Sequence, residues 1–268
     1  MNTHKKILLT TALIGVVTLV WAHEFWLQPD KFLLKIGETV DIRIFVGENF
    51  QGEKWSDTKD KIVKLTHYSH DSQEEIISKV PDNDHKRINV SFLSAGNHLI
   101  AFNNKNKFIK LEATKFNEYL KTEGLDGAAK LRKEQNNWQK EGRELYQRCV
   151  KTLVQVGDKH DDTYKKNTGM TMELIPDQNP YLIQANQTET FTILYKNQPL
   201  PNALILVWHR HQGKTTMKQY RSNAKGQIQC LLQRKGSWMI SAVHMVPHTN
   251  TQEADWQSYW TSYTFGYQ

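Results

Sequence analysis

The run Val40-Asp41-Ile42-Arg43-Ile44-Phe45-Val46 decides the fold class. Val40, Ile42, Ile44 and Val46 recur at every second position, with Asp41, Arg43 and Phe45 between them. Side chains alternate across a strand, so this spacing puts four apolar residues on one face of a half-buried β-strand. A helix would scatter the same residues around its circumference. Upstream, Phe25 and Leu27 share a face in the same way, and Gly37-Glu38 marks the turn between the two strands.

Working outward, short strands are predicted at 62–68, 75–79, 87–92 and 98–102. Pro81-Asp82-Asn83-Asp84 and Ser94-Ala95-Gly96-Asn97 supply turn residues between them. Short strands separated by turns predict an antiparallel sandwich over 23–113 of immunoglobulin-like type. The pattern then changes. Phe116, Tyr119, Leu120, Leu131, Trp138, Leu145, Tyr146, Val150, Leu153 and Val154 fall at spacings of three, four or seven across much of 114–155, which is a helical period. Gly124 to Gly127 breaks it into two helices. A helical insertion with its linker is therefore expected over 114–164. Strands resume at 172–175, 189–195, 203–210, 227–232, 238–244 and 256–265, a second sandwich over 165–268. The fold class expected is mainly β: two β-sandwich domains with helices between them.

Residues 1–22 have the order of an export signal. Lys5 and Lys6 precede an uncharged apolar run, Ile7 to Val20, and Val20 and Ala22 are small enough for the third and first positions before a cleavage site. Cleavage after Ala22 makes His23 the first residue and places the protein in the periplasm or outside the cell. No second apolar run is long enough to span a bilayer. A terminal histidine offers its α-amine and ring nitrogen as a chelate. Nitrogen-rich sites of this kind suit Cu(II) or Ni(II).

The formal charge is +7, but basic residues are scattered and most have acids close by. No basic helix or aromatic-interleaved basic stripe suits nucleic acid. Cys149 and Cys230 are the only cysteines, open to either a disulfide or two buried thiols. His209 and His211, two apart, share a strand face and form either a metal pair or a polar edge. His244 ends the row Trp238, Ile240, Ala242, and the following loop brings His248, Glu253 and Asp255 into range. No nucleophile elbow, phosphate loop or His-Glu-x-x-His motif is present, so hydrolase chemistry has no support.

Several stretches resemble the bacterial exported domain-of-unknown-function (DUF) 4198 family. They are Ala22-His23-Glu24-Phe25-Trp26-Leu27-x-Pro29, Tyr119-Leu120-x-x-Glu123-Gly124-Leu125, Gly142-Arg143-Glu144-Leu145-Tyr146, Lys151-x-Leu153-x-x-Val156-Gly157, Glu173-x-x-Pro176-x-x-Asn179-Pro180-Tyr181, and Gly236-x-Trp238 with His244-Met245 and Ala254-Asp255-Trp256-x-Ser258. The resemblance implies a secreted, β-rich protein handling a transition metal, in nickel or cobalt uptake, with a membrane metal transporter as partner. It points to His23 and His244 as ligands, with Glu24, Glu173 and Asp255 beside them. The second sandwich also resembles transthyretin-like repeats at Gln198-Pro199-Leu200-Pro201-Asn202-Ala203 and Ser222-Asn223-Ala224-Lys225-Gly226. Three functions follow as expectations: metal carriage of nickel, cobalt or copper; an envelope adaptor without metal; or copper-dependent oxidative chemistry at the terminal histidine.

Overall fold

A computed structural model describes residues 24–84, 86–184 and 187–267. The chain is mainly β, as expected, with two α-helices. Its organiser is the strand Gly142–Val156, which pairs parallel with the last strand, Trp256–Gly266, from Glu144 beside Trp256 to Thr152 beside Thr264. Around this pair runs a ten-stranded sheet. On one side of the pair lie Gly96–Asn104, Ile62–Tyr68 and Gln73–Glu75; on the other lie Ser237–Pro247, Leu204–His211 and Lys214–Arg221.

Two four-stranded sheets cover opposite faces of the large one. The first contains Glu24–Pro29, Thr39–Glu48, Gln51–Lys54 and Arg87–Ser91. Its Phe25, Leu27, Ile42 and Ile44 meet Ile100, Phe102, Val150 and Val154. The second contains Met172–Pro176, Thr188–Tyr195, Gln198–Pro199 and Gln227–Leu231. Its Leu174, Phe191 and Ile193 meet Cys149, Leu153, Ile240 and Tyr263. Alternation explains the division: even-numbered residues of the strand Gly142–Val156 face the first sheet and odd-numbered ones the second.

The span 142–156 corrects the expected helical insertion. Leu145, Cys149 and Leu153 are four apart, and so are Tyr146, Val150 and Val154. A spacing of four is both one helical turn and two strand periods. Because this strand is buried on both faces, it lacks the polar alternation that would separate the two readings. Helices do form upstream: α1, Ala113–Thr122, and α2, Asp126–Glu134. The expected break falls at Gly124, whose φ is +62°. The helices bury Phe116, Tyr119, Leu120 and Leu125 against Val243, Met245, Trp256 and Trp260. They therefore share a face of the large sheet with the first small sheet. None of the described helices is long and apolar enough to cross a membrane.

Two smaller differences concern strands, and the cysteines take one of the two expected forms. Residues 75–79 hold the end of a strand and a 3-10 turn, Ile77–Lys79. Strands Lys107–Leu111 and Lys214–Arg221 were not anticipated. Cys149 and Cys230 are both free and buried, and burial pushes each thiol up to about 12.

Candidate functional site

The first strand is pinned across the large sheet. Ser262 Oγ donates to the Phe25 carbonyl at 2.7 Å and Thr264 Oγ1 to that of Leu27 at 2.7 Å. Phe25 packs edge-on to Trp55 at 6.0 Å, while Trp26 points the other way and stacks on Phe45 at 5.5 Å. Two aromatic anchors on opposite sides fix the strand's rotation. They carry Glu24 into the crevice between the first sheet and the helices, beside Glu123, Leu204, Val243 and Trp260.

Three carboxyls gather here. Glu144 is 2% exposed. Tyr119 Oη donates to its Oε1 at 3.1 Å, and Ser258 Oγ donates to the same oxygen. Trp260 Nε1 donates to Ser258 Oγ at 3.2 Å and its ring stacks on Tyr119 at 6.0 Å, so the acceptor oxygen sits in a fixed aromatic frame. Burial pushes the Glu144 carboxyl up to about 7 against those two donors. Burial also raises Glu24 to about 7, with Glu48 adding to the rise. Glu123, just past the end of α1, is raised to about 8 by burial and then by the charges of Glu24, Glu144 and Glu48. No basic side chain is among the causes acting on any of the three. Carboxyls raised in this way keep part of their protons at neutral pH, and a cation bound to them would displace those protons.

Beside the cluster opens a cavity of about 540 Å³ whose lining includes Trp55, Tyr119, Glu144, Tyr146, Arg148 and Trp260. Glu144 and Tyr119 thus serve both the cluster and the cavity wall. Arg148 is buried, its guanidinium 4.6 Å from the Phe25 ring and 5.0 Å from that of Tyr146.

Of the five ligands expected from sequence, Glu24 belongs to the cluster. His23 lies outside the described residues. The other three are placed elsewhere, away from this cluster. His244 pairs with Tyr259, on the sheet face opposite the first strand, and its ring meets Tyr195 edge-on at 4.6 Å. Burial lowers its pKa. Asp255 is held by Arg143, with Nη2 2.7 Å from Oδ1. Glu173 is buried against Lys151 at 2.9 Å. Asp255 and Glu173 are each held in an ion pair, and His244 is half-buried against the Tyr195 ring. His209 Nε2 donates to the Lys235 carbonyl at 2.9 Å and its ring stacks on Trp238 at 4.0 Å; the ring lies 6.2 Å from that of His211. Among the described residues no three His, Cys, Asp or Glu side chains form a preassembled metal site.

Glu123 and Glu144 were missed because their spacing in sequence singles neither out. The available signal was their position: each lies in a stretch that carries the family resemblance, as do Glu24 and Ser258. Folding brings these four distant stretches to one place.

The chain belongs to the family described as Domain of unknown function (DUF4198), whose model matches residues 20–246. No curated protein matches it in sequence. Its backbone is similar to that of trypsin-activated alpha-2-macroglobulin from Escherichia coli, at 9% identity and TM-score 0.24, over 92% of this chain and 16% of that one. A Salmonella alpha-2-macroglobulin variant gives 10% and 0.24, over 91% and 15%. The D0-D1 domain of intimin gives 11% and 0.23, over 90% and 97%. The chain thus spans under a sixth of each macroglobulin's length, or about that, and likeness at these scores transfers no function.

Proposed function

We propose that this is an exported protein that takes a transition-metal cation, nickel, cobalt or copper, as cargo at the head of its first strand, for delivery to a membrane transporter. The α-amine and ring of His23 would form the primary chelate, with Glu24, Glu123 and Glu144 as neighbouring anions. In this reading His244, Asp255 and Glu173 are structural. The two halves would be of immunoglobulin-like and transthyretin-like descent, sharing one sheet.

The observation that carries the reading is the carboxyl crowding beside the expected N-terminus. Burial raises Glu24, Glu123 and Glu144, the charges of Glu24 and Glu144 raise Glu123 further, and no basic side chain among the described residues is among the causes offsetting them. Imidazole and amine nitrogen with nearby carboxylate suit Ni(II), Co(II) and Cu(II) better than calcium or magnesium, which prefer all-oxygen sites.

The test is native mass spectrometry of exported protein with and without each metal, followed by calorimetry. The intact mass reports whether His23 is the first residue. One cation per chain, lost in His23→Ala and weakened in Glu123→Gln, is expected. Unchanged binding in both variants, or none in the parent, overturns the proposal.

A second reading, an envelope adaptor, is favoured by a different feature. Ile36 is 59% exposed and Leu93 75%. Their loops adjoin through the Gly37 N–H donating to the Phe92 carbonyl at 2.8 Å. Partner capture that survives His23→Ala and is lost in Leu93→Ser would support this reading.

A further inference from the structure

The cavity beside the carboxyl cluster has a chemistry that the cation reading does not use. Its volume of about 540 Å³ falls in the range of small-molecule sites. Glu144, Tyr146 and Arg148 occupy alternate positions of the strand Gly142–Val156, so all three project from the same face into the lining. Along this row an acid, a phenol and a guanidinium follow in order. Trp55 and Trp260 supply flat apolar surface elsewhere in the lining.

Arg148 is 8% exposed. A guanidinium is always charged, and a buried one ordinarily has an anion against it. The other deeply buried cation on this strand follows that rule: Lys151 has Glu173 at 2.9 Å. Lys107, on the cavity wall, has Asp57 at 2.7 Å. Arg148 has ring faces and the Tyr146 hydroxyl, and feels the charge of Asp57, which is itself paired with Lys107. Among the described residues no carboxylate forms an ion pair with it. A buried cation that no carboxylate among the described residues pairs with directly, and whose head lines an open cavity, is arranged to receive an anion from outside. The planar fork of a guanidinium matches a carboxylate. The aromatic walls match a flat apolar body.

We infer that this cavity binds a small organic carboxylate, its carboxylate on Arg148 and its body against Trp55 and Trp260. The site is distinct from the cation cluster, although Glu144 borders both. The inference stands whether or not a metal is bound, and it is tested on protein stripped with a chelator.

The experiment follows the indole N–H resonances of Trp55 and Trp260 in labelled mature protein during titration. The probes are benzoate, indole-3-acetate, benzylamine and inorganic phosphate. Saturable shifts of both indoles with the two carboxylates are expected, and none with the amine or with phosphate. Arg148→Gln should weaken carboxylate binding at least tenfold. If that variant does not fold, the comparison of benzoate with benzylamine on the parent protein still decides. Equal binding of benzylamine or phosphate overturns the inference. So does a folded Arg148→Gln variant that binds as the parent does, or a failure of both carboxylates to move either indole.

Discussion

Lys151 Nζ stands 2.9 Å from Glu173 Oε2, with the two side chains 0% and 1% exposed. The same carboxylate accepts from Thr168 N at 3.0 Å, Thr168 Oγ1 at 2.9 Å and Met170 N at 2.8 Å. One residue thereby ties the segment before the strand Met172–Pro176 to the centre of the large sheet. Burial alone would raise the Glu173 carboxyl, but Lys151 and the Thr168 donors outweigh it and hold the group below its ordinary value. Removing one partner leaves a buried charge without compensation. Lys151→Met or Glu173→Gln should each cost about 3–5 kcal/mol in denaturant unfolding, and a double apolar replacement should recover much of that. The pair's contribution is present above the unfolded carboxylate range and is lost as pH falls through the folded value. Nickel binding should be unchanged in any of these variants that folds.

The fold's legibility followed burial. Thr39–Glu48 is legible because one face is wet: Val40, Ile42 and Ile44 are buried while Arg43 is exposed. Gly142–Val156 is not, because its inner stretch is buried on both faces and its apolar spacing of four fits two periods. Lys214–Arg221 escaped notice for the opposite reason. It is an edge strand of Lys, Thr and Gln, almost wholly exposed, and carries no apolar alternation. Lysine on an edge guards against pairing with another chain, so the feature that protects the edge also hides the strand. The site was legible at Glu24 only. Glu123 and Glu144 acquire their character from neighbours that only folding supplies.

Gly142 lies against the ring of Phe116, and a Cβ there would overlap three ring atoms. The strand's start and α1 are therefore in direct backbone-to-ring contact. Gly142→Ala should destabilise by about 1–3 kcal/mol, as expected of overpacking in a closed core. Pairing it with Phe116→Leu should return part of the loss. Thermal melts of the two single variants and the double one give the coupling; strict additivity would show that the contact is relieved without cost.

His67 Nε2 lies 2.7 Å from His98 Nδ1, and His98 Nε2 lies 2.9 Å from the Ser94 carbonyl. The carbonyl can only accept, so His98 donates there through Nε2 and accepts at Nδ1. His67 is then the donor of the shared bond. Burial, and then the neighbouring His98, lower His67 to about 4. An unfolded histidine titrates near 6.5, so between about 4 and 6.5 the unfolded chain holds more protons. Stability should therefore fall as pH drops through that window. In His67→Gln the acid limb of a melting-temperature profile should be flatter. An unchanged acid limb would show that this pair does not set it.

The carboxyl cluster should impose the opposite slope at higher pH. Glu24 and Glu144 are raised to about 7 and Glu123 to about 8, all above the unfolded carboxylate value of about 4.3. Between these limits the folded protein holds more protons than the unfolded chain. Unfolding free energy therefore declines as pH rises, and the contribution is complete only below the unfolded value. Chelator-treated protein should melt at a progressively lower temperature from pH 6 to pH 8. Glu123→Gln keeps the shape of the side chain and cannot ionise, so it should melt higher than the parent at pH 8 and alike at pH 5. Nickel added at pH 8 should raise the melting point of the parent, because a ligand bound only to the native state shifts the equilibrium toward it. The same addition at pH 5 should do much less, since protons then occupy the amine, the imidazole and the carboxyls. A parent profile that is flat from pH 6 to 8 would mean that burial does not hold the three acids protonated there, and cation binding would then release no protons from them.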